Sequence, residues 1–282
     1  MGGLNIRSMN RDEVDWAIEL AAAEGWNPGL SDAEAFYTQD PEGFIVGVLD
    51  GKPIGCISAI AYEGGFGFIG FYIVEPPYRG QGYGIQLWQH AIRRLQGRTI
   101  GLDGVIDQVD NYSKSGFTLV HSNIRFELNV HPESFTREPG IIPADQIAFE
   151  QIKQYDQQLF LFPRPLFLNK WLNPPLGTAL VAVENGRLCG YGVIRPCRSG
   201  FKIGPLFADH AKIADTLFRS LCASISSEAP VYLDVPEVNQ EGIRLAHRYG
   251  MEKVFGTARM YKEHLPPAPM SRTFGVTTFE LG

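Results

Sequence analysis

Cysteine is scarce in this chain: Cys56, Cys189, Cys197 and Cys222 are all there is, and no two form a C-x-x-C pair. That excludes a dithiol redox motif and the common zinc frameworks. No His/Cys/carboxylate cluster has metal-ligand spacing either, so no metal is expected. The four read as core thiols of a reduced, cytoplasmic protein. A basic surplus is also missing. Asp and Glu number 31 against 25 Lys and Arg, a formal net charge of -6, which argues against a general nucleic-acid binder. No segment approaches the roughly 20 apolar residues that span a bilayer, and no signal-peptide stretch follows Met1. Met1-Gly2 formally opens a myristoylation pattern, but no second anchor accompanies it. No nucleic-acid or membrane partner is expected.

What the sequence does contain is ordinary globular composition, 44% hydrophobic and 20% charged over 282 residues, a length that suggests about two domains. An internal repeat gives that number content. Phe44 to Gly55 alternates apolar residues around Asp50-Gly51, a hairpin signature. Ala179 to Gly190 has the same layout around Asn185-Gly186. Gly186 lies 135 residues after Gly51, as Gly190 does after Gly55. Ile69-Gly70 and Ile203-Gly204, Gly116-Phe117 and Gly250-Met251, and Arg125-Phe126 and Arg259-Met260 are each 134 apart. Chance could supply one such pair, but markers holding nearly one spacing over roughly 75 residues point to a duplicated unit.

The boundary is expected in His131-Pro132 through Pro139-Gly140, polar and without hydrophobic period. That gives halves at 1–130 and 141–282. Each half reads as helix, hairpin, strand, helix, strand, helix, strand, a mixed sheet with helices on its faces. In the first half, Asn10 caps a helix over 11–24, and a short helix spans 31–38. Strands cover 44–49, 53–61 and 66–74. A helix over 82–95, a strand over 99–105, a short helix to 115 and a strand over 117–129 follow. Leu265-Pro266-Pro267-Ala268-Pro269 leads to Phe274–Leu281, whose β-branched and aromatic residues suggest a last strand.

The chemistry sits at Val74-Glu75-Pro76-Pro77-Tyr78-Arg79-Gly80-Gln81-Gly82-Tyr83-Gly84, between an apolar strand and an amphipathic helix. Such a turn presents several backbone N–H groups at a helix N-terminus, which together bind an anion such as a pyrophosphate. Gly80, Gly82 and Gly84 let phosphates approach the backbone closely, and Arg79 can add charge. A Walker loop would need Gly-Lys-Ser/Thr where Gly84-Ile85 stands. A Rossmann fingerprint would need G-x-G-x-x-G and βαβ alternation, whereas G-x-G-x-G follows a hairpin here. A plain tight turn and a coenzyme A site remain.

Val74-x-Pro76-x-Tyr78-Arg79-Gly80-x-Gly82-x-Gly84 resembles the acyl-CoA signature of the GNAT superfamily of N-acyltransferases, whose core is R/Q-x-x-G-x-G/A. The resemblance implies an α+β fold of two tandem GNAT units. It places the CoA pyrophosphate on the amides of Arg79, Gly80, Gln81, Gly82, Tyr83 and Gly84, and the pantetheine arm along Tyr72, Ile73 and Val74, as an added strand. An N–H near Val74 would polarise the thioester carbonyl. Tyr112 in Tyr112-Ser113-Lys114-Ser115-Gly116-Phe117 stands where family members carry the proton donor to the departing thiolate. The alternative is an aromatic packed at a helix end. An asparagine common in the family seven or eight residues before that tyrosine is missing here, where Gly104 and Val105 stand.

The second half keeps the late GNAT pattern from Tyr232 to Met251, with Asn239. Ala246 holds the proton-donor position, however, and Ala211–Phe218 replaces the glycine turn. A folded, cofactor-free half follows. Together with Glu24–Gly29, the terminal Phe274–Gly282 resembles a tandem YitH-type group. What the resemblance implies is acetyl transfer from acetyl-CoA to a primary amine of a small molecule by direct attack. An acyl-CoA sensor and a protein or peptide acetyltransferase are the rivals, and a homodimer is left open. Gly70-Phe71-Tyr72-Ile73 offers no carboxylate where many relatives carry the base. Glu24, Asp32, Asp103, Asp107 or a water on Tyr72 or Tyr112 are candidates, though a turn at Asp103-Gly104 explains Asp103 as well. Trp26 and Asn27 are expected to line the acceptor pocket. Phe160–Phe167 and Trp171 read as core or as the far wall of that pocket.

Overall fold

The computed structural model describes residues 3–264 and 268–282. Met1-Gly2 and Leu265-Pro266-Pro267 of the proline-rich stretch lie outside the described residues. The first half contributes β1 (Asn5–Ser8), α1 (Arg11–Ala23), α2 (Asp32–Gln39), β2 (Phe44–Leu49), β3 (Lys52–Tyr62), β4 (Phe66–Val74), α3 (Tyr83–Arg94), β5 (Thr99–Val105), α4 (Val109–Lys114) and β6 (Thr118–Val130). The second contributes β7 (Ile141–Pro143), α5 (Phe149–Phe160), α6 (Pro165–Trp171), β8 (Thr178–Glu184), β9 (Arg187–Pro196) and β10 (Phe201–Ala208). It continues with α7 (Ala211–Cys222), β11 (Ala229–Pro236), α8 (Gln240–Arg248), β12 (Glu252–Lys262) and β13 (Thr273–Gly275).

Local chemistry accounts for these elements. Asn10 accepts from the Glu13 amide while the Glu13 side chain returns to the Asn10 amide, a reciprocal cap that starts α1. Asp50-Gly51 and Asn185-Gly186 both take positive φ, at 48° and 80° and at 51° and 77°. Two consecutive left-handed residues make the primed turn whose twist matches a hairpin.

The sheet runs β1-β2-β3-β4-β5-β12-β6-β11-β10-β9-β8-β7. Read inward from either edge, the two halves give the same sequence of elements, so the repeat seen in the chain is a repeat in space. At the centre the halves interleave, which the sequence did not announce. The last strand of the second half, β12, lies between β5 and β6. The last strand of the first, β6, pairs with β11. The two expected sheets are therefore one.

The repeated arginines explain why this exchange holds. Arg125 on β6 grips Asp234 on β11 through Nε and Nη2 at 2.7 and 2.8 Å. Arg259 on β12 grips Asp103 on β5 at 2.8 and 2.6 Å. Each half thus lends the other a guanidinium for a buried carboxylate, in the two-point geometry that suits Arg. One face of the sheet is shared as well. Phe36 on α2 stacks on Phe167 and Trp171 of α6, and residues of both halves form one apolar cluster there. Of the second half's aromatic stretch, Phe167 and Trp171 are core, and Phe160 and Phe162 pack partly buried against it. Phe162 stacks on Phe66 with centroids 4.4 Å apart.

The terminal segment departs from expectation. Only Thr273–Gly275 is strand, and the rest of the tail is buried without sheet pairing. The reason is the ground it crosses. A Cβ on Gly204 would lie 2.4 Å from the Thr277 carbonyl oxygen, and one on Gly70 would lie 2.2 Å from that of Glu280. The two repeated glycines are the notches through which the tail passes, one in each half.

Candidate active site

β4 and β5 run parallel and pair from Phe66–Thr99 to Ile69–Leu102, then part. The cause is a bulge. The β3–β4 register shifts between Cys56 and Ser58, and Phe71 takes φ +47°, a left-handed conformation that costs a non-glycine residue on the order of 1–3 kcal/mol. Phe71 is buried, and the Cys56 thiol donates to its carbonyl at 3.1 Å. The parting opens a cavity of about 550 Å³, within the usual range for small-molecule sites.

Gly70 to Val74, with Tyr72 and Ile73 between, form one wall of this cavity, and Asp103 to Val105 form the opposite one. The glycine turn closes one end. Arg79, Gly80 and Gly84 line it, while Gln81, Gly82 and Tyr83 complete the turn outside the cavity wall. Gly80 and Gly82 sit at φ +73° and +82°, and a Cβ on either would meet nothing within 4 Å. Bare main chain therefore faces open space at the N-terminus of α3, as a bound diphosphate requires. The Arg79 guanidinium is bonded to Glu24 and, at 2.7 Å, to the Val74 carbonyl. It braces the turn against α1.

Tyr112 lies across the cavity from β4. Its ring lies against Gly104, where a Cβ would fall 2.2 Å from the ring. The sequence departure at Gly104 is what admits the phenol. Trp88 completes the arrangement, with its ring 5.5 Å from those of both Tyr72 and Tyr112. Burial, reinforced by nearby Tyr72, pushes the Tyr112 phenol up to about 12. It stays protonated across the physiological range.

Trp26 lines the cavity. Asn27 is not brought there: its carboxamide holds the backbone of Ser199, accepting from the amide and donating to the carbonyl. The alternative reading of Asp103-Gly104 as a turn fails, because both residues lie within β5. Asp103 reaches the cavity wall, but Arg259 and Asn123 occupy its carboxylate. Burial pushes that carboxyl upward against the pull of Arg259. Asp32 is buried on Arg195, and Asp107 is exposed outside the cavity. The cavity is also walled by residues that no local motif singled out: Phe255 and Thr257 from β12, and Phe279 and Glu280 from the tail. The readable signal was Gly70, a strand glycine that marks a close backbone approach.

The second half shows how an equivalent cleft is lost. β10 and β11 part after Ile203–Leu233, but β13 pairs with β10 there, and the Val276 amide donates to the Asp234 carbonyl at 2.9 Å. The chain fills its own slot. Where a diphosphate would sit, Asp209 accepts from Tyr155 and Arg272 at 2.9 and 2.6 Å. Among the described residues, no cluster of His, Cys and carboxylate could hold a metal ion.

A parallel pair parted by a bulge, a glycine turn into a helix and a buried phenol define a protein that holds an extended, phosphate-ended acyl carrier. Two family models match, the acetyltransferase (GNAT) family over residues 11–117 and an acetyltransferase (GNAT) domain over 152–275. The chain is 30% identical to holothin acyltransferase of Pseudoalteromonas sp. (strain SANK 73390), covering 95% of this chain and 92% of that one. It is 22% identical to the uncharacterized N-acetyltransferase YitH of Bacillus subtilis, over 81% and 80% of the two. A putative acetyltransferase from Pyrococcus horikoshii has the same fold, with a TM-score of 0.84 at 21% identity, covering 100% and 97%. The chain belongs to the GNAT family of acyltransferases, in its tandem form.

Proposed function

We propose that this acyltransferase moves the acetyl group of acetyl-CoA to a primary amine of a small molecule by direct attack. Residues 1–130 would hold the donor, and residues 141–282 would brace and close the acceptor end. The observation that carries this reading is the cleft between β4 and β5, with the glycine turn at one end and Tyr112 facing the strand. In it the diphosphate lies on the amides of Arg79 to Gly84, and the pantetheine arm adds to the edge of Tyr72–Val74 as a strand. The amine nitrogen attacks the thioester carbonyl carbon, the C–S bond breaks, and Tyr112 protonates the leaving sulfur.

The acceptor is small because β12 and the tail wall off its end of the cavity. Trp26, Phe71, Phe255 and Phe279 line it, which favours an amine on an apolar, flat body. The Pseudoalteromonas relative is named for holothin, so holothin is one acceptor to try. Among the described residues no helix is long and apolar enough to cross a membrane. The four cysteines are buried and free, and a reducing cytosol suits them.

Thiol release from acetyl-CoA and longer acyl-CoAs, with holothin, tryptamine, tyramine and a lysine peptide, tests the reading. A small aromatic amine should outpace the peptide, and acetyl should outpace longer chains. A faster peptide would move the acceptor to protein. Tyr112→Phe should lower kcat about 100-fold or more with acetyl-CoA affinity unchanged. Since the phenol keeps its proton until pH approaches about 12, the donor role is fully present below that and is lost only as pH rises through it. Full activity in Tyr112→Phe would remove Tyr112 from the reaction.

A further inference from the structure

We propose that Glu280, carried into the first half's cleft by the C-terminal tail, is the base that takes the proton from the attacking amine. This rests on the acetyl-transfer reading above. The strand preceding the glycine turn cannot supply a carboxylate at Gly70, because the tail backbone occupies that space. The Glu280 carbonyl oxygen lies 2.2 Å from where a Gly70 Cβ would be. What β4 gives up at Gly70, the tail returns from the opposite side. Glu280 lines the same cavity as Tyr72, Trp26 and Tyr112.

The other carboxyls near the cleft are committed. Glu24 is held by Arg79, Asp32 by Arg195, Asp103 by Arg259 and Asp234 by Arg125. Glu280 is buried, yet among the described residues no guanidinium or other donor is bonded to its carboxyl. The charges around it come from every neighbouring element: Lys202 on β10, Arg195 on β9, Arg125 on β6 and Asp32 at the start of α2. Asp103 and Glu24 line the cavity with it. Pairing Arg125 with Asp234 and Arg195 with Asp32 leaves Lys202 and Glu280 as the residual opposite charges. Burial pushes the Glu280 carboxyl up, with Lys202 opposing. Burial, with Arg125 nearby, brings Lys202 down to about 8. A carboxyl raised by burial holds a proton more readily than a free one, which suits an acceptor for an amine proton.

The tail itself is firmly held. The Tyr62 hydroxyl donates to the Leu281 carbonyl at 2.8 Å, the Leu281 amide donates to the Thr278 hydroxyl at 3.0 Å, and Arg164 donates to the Thr277 hydroxyl at 3.0 Å. These contacts fix the residues on both sides of Glu280, which gives its carboxyl a defined position. In the reaction the nitrogen–carbonyl carbon bond forms as the thioester C–S bond breaks. The amine proton passes to Glu280, and the thiolate takes the Tyr112 proton.

Two variants test this. Glu280→Gln keeps shape and removes the base. With whichever of holothin, tryptamine or tyramine turns over fastest, kcat/KM should fall about 100-fold, and the rise in rate with pH on the acid side should flatten. Acetyl-CoA affinity should stay within threefold of wild type, and Glu280→Asp should restore part of the rate. A Glu280 that merely balanced Lys202 would leave the shape of the pH profile unchanged, and that result overturns the proposal. Glu280→Cys needs no acceptor. Its thiol should attack bound acetyl-CoA, forming a new thioester as CoA leaves with the thiol proton, and mass spectrometry should find one acetyl group on that peptide. The native cysteines are buried and should stay unmodified. A Glu280→Cys protein that binds acetyl-CoA and remains unacetylated overturns the placement while the acetyl-transfer reading stands. Loss of acetyl-CoA binding in the wild type itself would bring down that reading instead. Should Glu280→Cys fail to fold, Glu280→Gln decides; should no amine turn over, the acetylation of Glu280→Cys decides.

Discussion

Acetyl-CoA should bind Gly82→Trp at least ~100-fold more weakly than wild type, a loss of about 3 kcal/mol, while the protein stays folded. Gly82 stands at φ +82° as the cap of α3, and a Cβ there meets no protein atom within 4 Å. The indole would enter the space over the amides of the turn, where the phosphates are proposed to lie, without colliding with the core. The left-handed conformation adds a cost of about 1–2 kcal/mol for an L-residue. Gly82→Ala carries that cost without the bulk, so its affinity should fall far less than that of Gly82→Trp. Calorimetry measures both. Ligand at a hundred times Kd also stabilises the wild type by about 2.7 kcal/mol, a thermal shift that Gly82→Trp should lack. Undiminished binding in Gly82→Trp would sink the diphosphate site and the donor assignment with it.

Arg259→Ala should cost about 3–5 kcal/mol of stability, the usual loss when one partner of a buried pair is removed. Asp103 has a fully buried side chain, and without Arg259 it would keep only the Asn123 donor at 2.8 Å. The guanidinium also stacks over Phe68, 5.2 Å from its centroid. The deficit should depend on pH. Burial already raises the Asp103 carboxyl, and losing the cation raises it further. A carboxyl whose folded value exceeds its unfolded one stabilises the fold most below the unfolded value, and that contribution is lost as pH rises through the folded one. The variant should therefore be closer to wild type in mild acid than at pH above neutrality. Replacing Arg259 and Asp103 together by apolar residues of similar volume should recover much of the loss. Denaturation at several pH values checks both statements. A deficit under about 1 kcal/mol would mean that the exchanged strand is held by its ladder alone.

The glycine turn, the Asp-Gly and Asn-Gly hairpins, the capping asparagine and the spacing of the repeat were all legible in the chain because each rests on local rules. Glycines between strand and helix admit the left-handed conformations that such a turn needs, and they leave its main-chain amides bare. Tyr112 was legible through its spacing to Gly116-Phe117. The base was not. Glu280 follows Gly70 by 210 residues, and nothing local says that the tail will cross the bulge. The repeated Arg125 and Arg259 were visible as markers, yet their partners lie across the exchanged strands. Asn27 was misplaced for the same reason, since its partner Ser199 belongs to the other half.

The chain's own order of residues was thus sufficient for two copies of one strand-and-helix plan, a glycine turn in the first and its absence in the second. Those features depend on backbone dihedrals and on the period of apolar side chains, which act over a few residues. Which carboxylates are spent on guanidinium groups, which cleft the chain plugs with its own tail, and which acid is left facing the open one were settled by packing. They depend on charges and backbone segments from both halves meeting in a low-dielectric interior, where an ion pair separated by a hundred residues is as close as a neighbour.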